Sequence, residues 1–186
     1  MKISDCEFSG LKIIEVDRYF DDRGFFCERF NREKFLQAGL PADFVQDNFS
    51  QSKANVVRGL HFQYDQPQGK LVGCMRGKII DVVVDLRSNS STFGKYFTIE
   101  LSDDNGKMLW VPAGFAHGFC VPDDCVVADV LYKVDAIYNP KGESGIAFND
   151  SDIAIDWKKL GVSNPVVSGR DASLQSFKNY LENRKF

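Results

Sequence analysis

The run Lys70-Leu71-Val72-Gly73-Cys74-Met75-Arg76-Gly77-Lys78-Ile79-Ile80-Asp81-Val82-Val83-Val84-Asp85-Leu86 reads as two strands, Lys70–Arg76 and Lys78–Leu86, joined at Gly77. The second is almost wholly β-branched, which is what a strand covered on both faces requires, and Asp81 is the one acid set within its apolar residues. Outward from this pair, turn residues recur every ten positions or so and bound further strands at Leu11–Val16, Val56–Phe62, Tyr96–Leu101, Lys107–Val111, Gly118–Val121, Asp129–Val134 and Ile153–Trp157. Two helices interrupt them. Asn31 can cap a short helix through Phe35 to Ala38 that ends at Gly39, and a second runs from about Asp171 to Glu182 with Leu174, Phe177 and Leu181 on one apolar face. About nine strands in succession without crossover helices predict an all-β antiparallel sandwich or jelly-roll barrel, with room for a small-molecule cavity.

Composition agrees. The 186 residues, 44% hydrophobic and 26% charged, suit one soluble domain, with the barrel core over about 45–160, and exclude collagen-like, low-complexity and wholly disordered chains. Aromatics at 13% fit the interior of a sandwich or barrel. A net charge of −3 offers nothing to nucleic acid, so an anionic ligand must be held by local Arg and Lys. Asp5 and Glu7 break the apolar run a signal peptide needs, and no window approaches 18 apolar residues; the expectation is a cytoplasmic protein without a membrane segment. The five cysteines, Cys6, Cys27, Cys74, Cys120 and Cys125, lack a C-x-x-C pair and read as reduced, mostly buried thiols.

Any chemistry that needs an imidazole must use His61 or His117. A divalent metal needs three or more converging ligands, and alternation places Gln63, a poor ligand, beside His61, so a bound metal is not expected. General acid–base chemistry suits a histidine near neutral pH but requires an orienting carboxylate. Otherwise His61 is a satisfied core histidine and His117 a turn residue.

Seven segments, in order, then carry a resemblance: Asp22-Arg23-Gly24-Phe25-Phe26, Val45-Gln46-Asp47-Asn48, Arg58-Gly59-Leu60-His61-Phe62-Gln63, Gly69-Lys70-Leu71-Val72, Trp110-Val111-Pro112, Gly114-Phe115-Ala116-His117-Gly118 and Tyr132-Lys133. The set resembles the dTDP-4-dehydrorhamnose 3,5-epimerase family from residue 10 to about 175. The resemblance implies a dimeric, cupin-like jelly-roll that uses no metal or other cofactor and acts on a nucleotide-diphosphate 4-keto-deoxysugar. A C4 ketone acidifies the hydrogens on both neighbouring carbons, so one base can remove either and an acid on the opposite face can return it inverted.

By that resemblance His61 is the base, Asp171 its supporting carboxylate, Tyr132 the acid and Lys70 the cation facing the keto oxygen. Ser168 and Asp171 also fit a helix capping box, and the two roles for Asp171 need not exclude each other. Arg58 matches the diphosphate contact. Arg23, Glu28, Gln46, Asp47 and Asn48 match nucleotide-binding positions, some of which reach the partner subunit's site, and His117, Tyr138, Glu143 and Arg170 match further substrate contacts. Arg58 and His61, three apart, fall on opposite faces of a regular strand, so either a bulge lies at Gly59 or Arg58 points elsewhere, toward a dimer interface for instance. The chain departs from the family pattern at Phe49, Gly73, Arg170 and Phe148, on what is expected to be the nucleotide and phosphate side. Two other readings share these residues: an epimerase inverting C3 or C5 only, and a non-catalytic sugar-binding barrel, which would need no acid and base on opposite faces.

Overall fold

The computed structural model describes residues 1–186. In chain order the strands are β1 (Lys2–Asp5), β2 (Lys12–Glu15), β3 (Arg18–Asp21), β4 (Gly24–Cys27), β5 (Gln46–Lys53), β6 (Val57–Gln63), β7 (Lys70–Arg76), β8 (Lys78–Asp85), β9 (Tyr96–Ser102), β10 (Lys107–Val111), β11 (Phe115–Cys120), β12 (Val127–Val134) and β13 (Glu143–Gly145). The helices are α1 (Arg32–Gln37), α2 (Gly169–Ala172) and α3 (Phe177–Glu182). A six-stranded sheet, β1-β2-β10-β7-β12-β5, faces a five-stranded one, β13-β6-β11-β8-β9, with β3 and β4 as a separate ribbon. Every ladder is antiparallel, and the result is the expected jelly-roll.

Alternation sorts each strand between layers. On β8, Ile79 and Val83 join Val72, Leu109, Phe119 and Val130 in the core between the sheets, while Val82 and Val84 pack outward against Trp157, Phe177 and Tyr180. Asp81 shares the inward parity of Ile79 and Val83, and it is buried. A third apolar layer, with Phe35 of α1 on Trp110 and Leu71, covers the outer face of the six-stranded sheet. Asn31 caps α1 by accepting from the Lys34 amide, and Gly39 exits at φ +72°, as the local sequence requires.

Three expectations change. Ile153–Trp157 is not a strand: Ile153, Ile155 and Trp157 are buried against the five-stranded sheet, but Asp150 Oδ1 accepts from the Asp152 and Ile153 amides and Ala154 sits at φ +53°, so the segment turns instead of pairing. The helix expected over 171–182 is divided, because Ile146 bridges to Gln175 and Ser176 starts a new cap on the Asn179 amide. The strand expected at Gly118–Val121 begins at Phe115, which puts His117 within β11 instead of in a turn. Strand β5 carries no strand signal of its own because Gln46-Asp47-Asn48-Phe49-Ser50-Gln51-Ser52-Lys53 is polar; its order comes from eight register positions against β12, a tertiary effect.

Candidate active site

A cavity of about 710 Å³ opens between the sheets. Gln46 and Asn48 of β5, Lys70 of β7 and Tyr132 of β12 line the six-stranded side. Arg58 and His61 of β6, His117 of β11 and Glu143 of β13 line the other, with Tyr138, Arg170 and Asp171 also on the wall.

A bulge resolves the Arg58–His61 spacing. His61 pairs with His117 and Arg58 with Phe119, so Gly59 and Leu60 together oppose Gly118 alone and the two side chains return to the same wall. Two glycines make this approach feasible: a Cβ on Gly59, which sits at φ +112°, would lie 2.7 Å from Gly118 Cα, and one on Gly118 would lie 2.3 Å from the Arg58 carbonyl oxygen. Gly59→Ala is expected to destabilise the fold by about 2 kcal/mol, from an unfavourable φ and backbone overpacking. A urea midpoint equal to the parent's would contradict this. Arg58 Nε donates to Ser52 Oγ at 2.8 Å and Nη2 to the Gln51 carbonyl at 3.1 Å, which ties the guanidinium to β5.

His61 Nε2 lies 2.7 Å from Asp171 Oδ1, and the other carboxylate oxygen accepts the Gly59 amide at 3.1 Å. A carboxylate only accepts, so Nε2 carries the proton and Nδ1 the lone pair. Burial alone would raise the Asp171 carboxyl, but its hydrogen bonds with His61 and Gly59 outweigh burial and hold it below the usual carboxylate range. Ser168 Oγ meanwhile accepts the Asp171 amide at 3.0 Å, so the residue is capped through its backbone while its carboxylate serves His61.

Lys70 Nζ reaches from the six-stranded sheet to donate to the His61 carbonyl at 3.3 Å. Burial pushes this ammonium down to about 8, opposed by the negative charges of Glu143 and Asp81. The Tyr132 hydroxyl is raised above its ordinary value, first by burial and then by Glu143, so it stays protonated at neutral pH. His117 Nε2 lies 2.9 Å from Asp81 Oδ2, which makes a second His–Asp pair beside the first. At the mouth, the Tyr138 hydroxyl donates to Glu143 Oε2 at 2.6 Å and Arg170 pairs with the same oxygen. The Gln46 side chain accepts the Tyr138 amide and the Gln63 side chain accepts that of Asn139, which fixes the loop carrying Tyr138. No group of three His, Cys, Asp or Glu side chains is placed to hold a metal ion.

Residues 5–179 match the sequence family described as dTDP-4-dehydrorhamnose 3,5-epimerase. The chain belongs to the dTDP-4-dehydrorhamnose 3,5-epimerase family. It is 48% identical over 163 residues to the dTDP-4-dehydrorhamnose 3,5-epimerase of Methanothermobacter thermautotrophicus, covering 87% of this chain and 86% of the relative. The crystal structure of dTDP-6-deoxy-D-glucose-3,5-epimerase from Legionella pneumophila, in complex with dTDP-4-keto-L-rhamnose, aligns with a TM-score of 0.89 at 42% identity, covering 95% of this chain and 93% of that one. A 3′-monoepimerase from Streptomyces bikiniensis, in complex with dTDP-quinovose, aligns at 0.86 and 28% identity over 95% of this chain and 88% of its own.

In this member of the epimerase family, Arg23, Glu28 and Asp47 do not line the cavity of their own chain. Arg23 stands at the exposed tip of the β3–β4 ribbon beside Asp21, Glu28 bonds Lys34 and Asn31 at the start of α1, and Asp47, one residue out of phase with Gln46 and Asn48, pairs outward with Lys133. Of the four departures from the epimerase pattern, Phe49 and Arg170 border the cavity, whereas Gly73 and Phe148 do not. Gly73 leaves room for the guanidinium of Arg29, whose Nη2 would lie 2.2 Å from a Cβ there; Phe148 packs on Trp157 and accepts its indole N–H. Asp81 is the functional neighbour that motif reading passed over, although its isolation among valines and isoleucines marked it.

Proposed function

We propose that the protein inverts C3 and C5 of dTDP-4-dehydro-6-deoxy-D-glucose to give dTDP-4-dehydro-L-rhamnose. The observation that carries the reading is that His61, oriented by Asp171, and Tyr132 project into one cavity from facing sheets. His61 Nδ1 takes the proton from C3 or C5, and the C–H electron pair moves through the carbonyl to place negative charge on the C4 oxygen. Lys70, fixed at the His61 carbonyl, stabilises that enolate with its positive charge. Tyr132 then donates its proton to the opposite face of the same carbon, and exchange with water restores both groups. Arg58 supplies donors for the diphosphate; Gln46, Asn48, His117, Tyr138, Glu143 and Arg170 hold the rest of the ligand.

The same reading has the protein act as a cytoplasmic homodimer. Tyr19, Phe20, Phe25 and Phe26 leave the β3–β4 ribbon with an exposed aromatic surface that a partner subunit would cover, with Arg23, Glu28 and Asp47 completing nucleotide contacts from there. Inversion at C3 alone is the second reading, favoured by the 28% identical 3′-monoepimerase of nearly the same fold.

The test is NMR in D₂O with dTDP-4-dehydro-6-deoxy-D-glucose, following C3 and C5 separately. Deuterium at both centres with L-rhamno product is the expected result. Entry at C3 alone would make the protein a mono-epimerase, and entry at neither would favour a binding barrel or a different nucleotide-sugar. Tyr132→Phe should keep exchange at C3 and C5 but lose inversion on the order of 10²-fold, since the base is intact and the acid gone. Full epimerisation by that variant would assign the acid elsewhere.

A further inference from the structure

The strap 135–142 leaves β12 of the six-stranded sheet and enters β13 of the five-stranded one, so it passes between the sheets beside the cavity mouth. It carries Tyr138, yet packing does little to hold it there: Ile137 is 55% exposed and Tyr138 44%. Polar contacts hold it instead. Gln68 Nε2 donates to the Ala136 carbonyl at 2.7 Å, and Asn139 Nδ2 donates to Asp65 Oδ2 at 3.0 Å. Between these pins a single peptide group is gripped from both sides. The Ile137 carbonyl accepts from Gln63 Nε2 at 3.1 Å, and the Tyr138 amide of the same peptide donates to Gln46 Oε1 at 3.0 Å. Gln63 belongs to β6 and Gln46 to β5, so each sheet supplies one half of the grip.

Gln63 is 4% exposed, and a buried amide must find partners. Its Nε2 also donates to the Gln66 carbonyl at 2.6 Å, and its Oε1 accepts the Asn139 amide at 2.8 Å. Both N–H donors and the oxygen are thereby used. A flipped amide would set its oxygen against two carbonyls, so the side chain has one orientation that fits. It bonds the strap immediately before and immediately after Tyr138.

We propose that Gln63 is a positioning residue that presets Tyr138 at the cavity mouth, so that the ligand meets an aromatic side chain already in place. The inference deepens the epimerase reading and rests on it, since that reading makes Tyr138 a ligand contact. A Tyr138 on a loose strap would have to be ordered at each binding event, at a cost in affinity, whereas a preset one is not. Gln63 does not line the cavity, and His61 takes its orientation from Asp171 of α2. Loss of Gln63 should therefore fall on binding and leave proton transfer in place.

Gln63→Met keeps the length of the side chain and makes none of its hydrogen bonds. KM should rise about 10-fold, the equivalent of about one net hydrogen bond, while kcat stays within about twofold of the parent. In a Tyr138→Ala background the same change should add nothing to KM, because nothing is left to position. The clamp itself is read from hydrogen exchange of the Tyr138 amide in ¹⁵N-tyrosine-labelled protein, assigned by its loss in Tyr138→Phe; exchange should be about 10-fold faster in Gln63→Met. If Gln63→Met does not fold, Gln63→Asn carries the same measurements, since it is one methylene too short to reach the strap but keeps an amide that water can satisfy. An unchanged Tyr138 exchange rate, a KM effect that persists in Tyr138→Ala, or a fall in kcat at constant KM overturns the proposal. Parent protein that shows no turnover in D₂O would sink the epimerase reading instead, and Tyr138 exchange would still decide whether Gln63 presets the strap.

Discussion

His61→Ala should abolish deuterium incorporation at both C3 and C5 and lower kcat by about 10³–10⁴-fold, the upper part of the range for loss of a positioned acid–base group. The basis is geometric. With Nε2 held 2.7 Å from Asp171, His61 offers a lone pair on Nδ1, whereas the other imidazole of the cavity, His117, is held by Asp81. Loss of both exchanges together is the informative result, since one base serving two carbons predicts it and two bases do not. Asp171→Asn should leave substrate binding intact but weaken catalysis on the order of 10²-fold, through a misplaced tautomer and an unsupported imidazolium. Exchange persisting at either carbon in His61→Ala would remove His61 from that half-reaction.

Lys70 gives the second large effect, with an unusual pairing of signs. Lys70→Met should cost about 10²–10³-fold in kcat, comparable to the loss of a donor aimed at a developing oxyanion. In the parent, the same group sets an alkaline limb: the ammonium, pushed down to about 8, is charged below that pH and neutral above it, so the rate should fall as pH rises through about 8. For stability the sign is opposite. A lysine whose folded-state value lies below the unfolded one of 10.5 binds more protons when unfolded between those two pH values, so the fold gains stability as pH rises through that window. At pH 7 the charged lysine therefore opposes folding, and Lys70→Met should raise the melting temperature while lowering the rate. A variant that lost activity and also melted lower would show that Lys70 serves packing instead of charge.

How much of this was legible in the sequence depends on where the determining contacts lie. The β7–β8 pair was readable because β-branched runs and Gly77 are local signals. Strand β5 was not, since its polar residues are ordered by β12, and Ile153–Trp157 misled because alternating burial can arise without a ladder. In the site, the resemblance placed His61, Lys70, Tyr132 and Asp171, and the structure brings all four to one cavity. Chain geometry alone raised the Arg58–His61 conflict, and a bulge at the foreseen glycine resolves it. Asp81 escaped because its role depends on the register of β8 against β11, in which Phe119 lies directly opposite and His117, opposite Val83, meets Asp81 diagonally.

The base and the acid hang from different sheets, and what lies between those sheets is Val72, Val83 and Val130. The interior thus works as a spacer gauge: side-chain volume far from the ligand sets the gap across which a proton must be delivered. Sheets packed roughly 10 Å apart tolerate small changes in that gap without unfolding, whereas proton transfer does not. Turnover in this protein should accordingly be a more sensitive reporter of sheet separation than any spectroscopic measure of folding, fading on warming while the ladders themselves are still intact.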